Sequence, residues 1–77
     1  MKARIFLANG TLYADLENGL RLSHVDAIEL ADQLWNHSVT HEQLSLLDWH
    51  EDPEHAPLAG QKIAIHCRLR LQENGSE

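Results

Sequence analysis

The first 22 residues fall into three short runs rich in apolar residues, separated by Asn9-Gly10 and Asn18-Gly19. These turn signals predict a three-stranded antiparallel meander, because the favoured tight hairpin turn needs positive φ at both central positions. Closing the first loop at Asn9-Gly10 sets Phe6 opposite Tyr13, Arg4 opposite Asp15 and Lys2 opposite Glu17 on one face. The other face then pairs Leu7 with Leu12, Ile5 with Ala14 and Ala3 with Leu16. A one-residue slip would destroy all of these matches. A three-residue second loop, Glu17-Asn18-Gly19 with Gly19 in a left-handed bulge position, places Leu16 opposite Leu20, Asp15 opposite Arg21 and Ala14 opposite Leu22.

The period changes after Leu22. Val25, Ile28, Ala31, Leu34 and Trp35 recur at helical spacing, and Ser23 is a good N-cap with Asp26 three residues on, so a helix is predicted over residues 23–37. With that stripe buried, Asp26, Glu29 and Asp32 face outward with no base to compensate them. The signal weakens over residues 38–60. Thr40 with Gln43 resembles a capping box and suits a short helix over 41–49, while a short strand from Leu44 to Trp49 fits nearly as well. Pro53, Pro57 and Gly60 make 50–60 a loop. From 61 to 72 alternation returns: Ile63, Ile65, Cys67, Leu69 and Leu71 interleave with Lys62, Ala64, His66, Arg68 and Arg70. That pattern predicts a long strand with one core face and one basic face, pairing with an edge of the meander or with a second subunit. Residues 73–77 read as a polar, frayed tail. The expected fold is one α+β domain: a small antiparallel sheet with a main helix on one face and room for a second short helix.

Composition sharpens the picture. The chain has 77 residues, 12 Asp and Glu against 6 Lys and Arg, and a formal charge of −6. A chain this short argues against a large enzyme with a deep pocket. The single cysteine, Cys67, excludes an intramolecular disulfide, and no apolar run approaches membrane-spanning length. Only four apolar residues follow the first bases, too few for a secretory signal, so a soluble cytoplasmic protein is expected. The charge is unevenly placed: Lys2, Arg4 and Arg21 lie at one end and Lys62, Arg68 and Arg70 at the other. Between Arg21 and Lys62 stand eight acids, Asp26, Glu29, Asp32, Glu42, Asp48, Glu51, Asp52 and Glu54, and no Lys or Arg.

Candidate chemistry is sparse. His37 and His41 are four apart, His50 and His55 lie near Glu51 and Asp52, and His66 adjoins Cys67, but no metal-binding motif joins them. A metal site on His50 and His55 is therefore an alternative reading, and no cofactor is expected. Cys67 falls on the apolar side of its predicted strand, where a thiol is an inert core residue. Phe6 and Tyr13 beside Arg4, Arg21, Arg68 and Arg70 would make an aromatic, basic sheet face of the kind that binds single-stranded RNA, a second alternative. The net charge opposes it at long range, as it opposes direct nucleic-acid binding generally.

The acidic segment is the feature folding explains least, because ordinary surfaces intersperse signs. Asp26, Glu29 and Asp32 on the helix, and Asp48, Trp49, Glu51, Asp52 and Glu54 in the loop, suit capture of a basic partner protein with Trp49 or Trp35 as an apolar anchor. The expectation is a non-enzymatic binding module, with an inhibitor of a nucleic-acid-binding protein as its concrete form. In size, acidity and lack of catalytic motifs the chain is similar to small phage-encoded inhibitors of host defence, anti-CRISPR proteins among them. That similarity is one of class and carries over no residues. Homodimerisation is expected, if at all, through the C-terminal strand.

Overall fold

A computed structural model describes residues 1–75. The meander forms as its pairing rules require: β1 (Ala3–Ala8), β2 (Thr11–Leu16) and β3 (Arg21–His24) are antiparallel, with Phe6 opposite Tyr13, Arg4 opposite Asp15, Ile5 opposite Ala14 and Asp15 opposite Arg21. Asn9 and Gly10 have φ of 52° and 78°, the mirror-image turn that matches strand twist, and Gly19 takes φ 91° at the bulge. Ala3, Ile5, Leu12, Ala14 and Leu16 are buried on one face.

The helix α1 (Ala27–Asn36) starts later than expected. β3 runs on through His24, so Ser23 is a strand residue and Asp26 is the cap, its carboxylate accepting the Ile28 N–H at 2.8 Å. Val25, placed in the buried stripe by periodicity, therefore precedes the helix and is exposed. Ile28 of the same stripe is exposed as well, whereas its Ala31 and Leu34 are buried as expected, together with Leu30. After α1 the ambiguous segment forms neither a helix over 41–49 nor a strand reaching Trp49, but a short piece of each type. A 3₁₀ turn (His41–Gln43) has the Gln43 side chain accepting the Thr40 N–H at 3.0 Å, and β4 (Leu44–Leu46) follows it.

Two further expectations fail. β4 pairs in parallel with β1, so the sheet is mixed, in the order β3-β2-β1-β4, and β4 takes the edge that the C-terminal segment was expected to occupy. That segment is α2 (Ala59–Gly75), a helix of 17 residues; the predicted strand over 61–72 and its basic face do not exist. At roughly 100° per residue, alternate apolar positions split into two helical stripes, 65/69 and 63/67/71, on opposite sides. Only the first is buried, while Cys67 lies exposed in the second. Gln, Ala, Lys, Arg and Leu are strong helix formers, a propensity that the alternation masked. Dimerisation through a C-terminal strand falls with the strand. Residues 73–75 belong to α2, while 76 and 77 of the expected tail lie outside the described residues.

Both helices cover the same face of the sheet. Leu30, Ala31 and Leu34 of α1, Ile65 and Leu69 of α2, and Val39 join the sheet's buried residues in one apolar cluster. The fold is α+β, and the second sheet face is left open.

Candidate functional site

The segment following β4 is irregular but anchored. Leu47 N–H donates to the Ile5 carbonyl at 3.2 Å and Leu7 N–H to the His55 carbonyl at 2.7 Å, so the loop closes the edge of β1 beyond β4. Ala56 and Pro57 are buried beneath it. Between these anchors the backbone turns twice, Glu51 and Asp52 N–H donating to the Asp48 carbonyl and His55 and Ala56 N–H to the Asp52 carbonyl. The Asp48 carboxylate is used locally, accepting the His50 N–H at 3.1 Å. Asp52 accepts from His55 Nδ1 at 2.8 Å, and this hydrogen bond holds its carboxyl below the usual range. Trp49 is 61% exposed, its ring 3.9 Å from that of His50. Glu51 and Glu54 are exposed, and no salt bridge among the described residues joins Asp48, Glu51 or Glu54 to a cation.

The acids of α1 have a different fate. Asp26 caps its own helix. Asp32 receives Arg68 Nε at 2.8 Å, Arg68 Nη2 at 3.3 Å and Gln72 Nε2 at 2.9 Å, all from α2. The Arg68 hydrogen bond, reinforced by Gln72, depresses its carboxyl. Asp32 was expected to face outward uncompensated; the helical C-terminus supplies the missing base. Only Glu29 remains exposed with no salt bridge among the described residues. α1 contacts β3 and β2, whereas the loop flanks β1 on its β4 side, so the two acidic sets lie toward opposite edges of the sheet rather than on one surface.

The open sheet face carries Phe6 and Tyr13 stacked at 5.2 Å, with the Arg21 guanidinium over both rings at 5.3 and 5.8 Å. Arg21 is also bound to Asp15 through two nitrogens, which keeps that carboxyl low. Arg68 and Arg70 sit on α2 and not on this face, so half of the expected basic platform is missing. A groove of about 270 Å³ between sheet and loop is lined by Arg4, Phe6, Asp15, Leu47, Asp52 and His55. Sequence reasoning missed this convergence, although the Asp52-x-x-His55 spacing around Pro53 signals the local turn that builds it.

The histidines disperse. His41 Nδ1 donates to the Glu73 carboxylate at 2.8 Å, and the His41 backbone N–H donates to the same oxygen at 3.0 Å, tying the 3₁₀ turn to α2. His66 lies 6.4 Å from His41 between ring centres, and burial pushes its pKa down, with the His41 and Arg70 charges adding to the effect. His50 stacks on Trp49 while His55 binds Asp52, and no group of three or more His, Cys, Asp or Glu among the described residues is placed to hold a metal ion. Trp35 is half-buried against the core, which leaves Trp49 as the exposed tryptophan.

No protein-family model, curated protein or solved structure matches this chain. Among the described residues no helix is long and apolar enough to cross a membrane.

Proposed function

We propose that this protein is a non-enzymatic, cytoplasmic binding module that docks its 48–54 loop on a basic surface of a partner protein. The observation that carries this reading is Trp49, 61% exposed on an anchored loop and bordered by Asp48, Glu51 and Glu54, whose charges no cation within the described residues neutralises. A large exposed aromatic ring supplies contact area at low entropic cost, and the surrounding carboxylates steer approach to a positive surface. The concrete form is an inhibitor that sets carboxylates where a partner's nucleic-acid phosphates would lie. Glu29 and Asp32 contribute less than their sequence suggests, because Asp32 is already bound to Arg68.

The test is capture on immobilised wild-type protein beside a Trp49→Ala/Glu51→Lys/Glu54→Lys variant. Support requires a protein retained only by the wild type, released by salt and displaced by added nucleic acid. Equal retention on both columns, or retention indifferent to salt, would remove the proposal.

A further inference from the structure

The second stripe of α2 is an apolar surface feature that packing within the chain does not use. Ile63 is 63% and Leu71 62% exposed, and exposed Cys67 lies midway between them, four residues from each. At roughly 100° per residue these three share one side of the helix with Gly60 and Ala64, so the stripe itself carries no charge. Contiguous apolar surface of this kind marks an interaction site more often than isolated exposed side chains do.

Its borders differ. Arg68 and Gln72 reach Asp32 on one side, which places α1 there, with Glu29 near enough to act on Arg68. On the other side, Arg70 shares a surface groove with His41, Glu42, Glu73 and Asn74. Neither Arg70 nor Glu29 belongs to a salt bridge among the described residues. One uncharged stripe thus runs between a cation, Arg70, whose charge acts on Glu73 of its own helix, and a carboxylate, Glu29, whose charge acts on Arg68.

We propose that this stripe is a self-association surface, on which two copies of the chain pair their α2 helices in parallel about a two-fold axis passing beside Cys67. Residues Ile63, Cys67 and Leu71 then meet their own counterparts, as an isologous contact demands. An axis parallel to the helices sets the Arg70 side of one copy against the α1 side of the other, so each Arg70 faces the partner's Glu29. Antiparallel pairing would oppose the two Arg70 sides. One helix face is small beside the roughly 1,200–2,000 Å² of standard interfaces, so the dimer is a weak one.

Sedimentation equilibrium across micromolar to millimolar concentration tests the pairing. The weight-average mass is expected to rise from 8.8 kDa toward twice that value, and the double variant Ile63→Gln/Leu71→Gln to stay monomeric with an unchanged far-UV spectrum. Cys67 crosslinking by a short bismaleimide, an addition of both thiols to the linker, is expected in the wild type and lost in the double variant. Arg70→Glu is expected to weaken association about tenfold and Arg70→Glu/Glu29→Arg to restore it. A chain that stays monomeric throughout, a dimer that survives the double variant, or a charge swap that restores nothing would each overturn the proposal. The loop surface is untouched by these variants, so failure here is distinct from failure of the docking function.

Discussion

Helix α1 and the 48–54 loop are both acidic and both contain apolar residues, yet the fold uses them in opposite ways. On α1 two of the three acids are committed to structure, Asp26 capping the helix and Asp32 bridging to Arg68 and Gln72 of α2, while Glu29 stays exposed. The apolar residues Leu30 and Leu34 are wholly buried. In the loop, backbone turns and buried Ala56 and Pro57 do the anchoring, which leaves Trp49, Glu51 and Glu54 facing solvent. Net charge therefore says little about which acids are free to act on a partner. What decides is whether the neighbouring element supplies a donor.

That contrast can be broken or sharpened by substitution. The largest effect is expected for Leu34→Ala, which removes a fully buried side chain and should cost about 2–5 kcal/mol in chemical denaturation, whereas Trp49→Ala should cost under about 0.5 kcal/mol. Comparable losses at the two sites would mean that the loop is as structural as the helix. Asp26→Ala removes the cap and is expected to cost about 1 kcal/mol. Asp32→Asn should cost less, about 0.5 kcal/mol, because the pair is partly exposed.

The pH dependence follows from the same pair. The Asp32 carboxyl is lowered from 3.8 in the folded protein, so its contribution is present above that value and is lost as pH falls through the folded pKa. His66 is lowered from 6.5, so its contribution likewise begins to fade as pH drops below about 6.5. Thermal melts should show a decline starting near there, and His66→Gln should flatten that upper part of the profile while leaving the acidic limb, which Asp32→Asn should reduce. The smallest effect on stability is expected for Glu51→Lys/Glu54→Lys, within about 0.5 kcal/mol of wild type. Partner binding by that variant should nevertheless fall sharply and lose its salt dependence.

The meander and the C-terminal segment show where sequence reading succeeds. In the meander, two Asn-Gly loops and matched cross-strand pairs specify the same register independently, and no other register satisfies both faces. In α2, one alternating pattern is compatible with a half-buried strand and with a helix bearing two apolar stripes, and the helix propensity of its Ala, Gln, Lys, Arg and Leu is the one local signal that separates them. The loop acids were legible as a cluster, but their separation from the α1 acids was not. That separation depends on β4 pairing in parallel with β1, a contact between residues some forty positions apart.

By itself, then, the amino-acid sequence determines the α+β class, the hairpin register, the presence of a helix after β3 and the distribution of charge along the chain. Each is set by interactions between near neighbours: turn dihedrals, cross-strand pairs and helical spacing. The tertiary structure alone decides that the last apolar run is a helix, that Arg68 neutralises Asp32, and that Cys67 is exposed between Ile63 and Leu71. The physical reason is that β4 occupies the free edge of β1 and an open apolar sheet face beside α1 remains to be covered. A helix buries Ile65 and Leu69 there while making most of its backbone hydrogen bonds internally, whereas a strand lying across that face would leave its backbone groups unpaired.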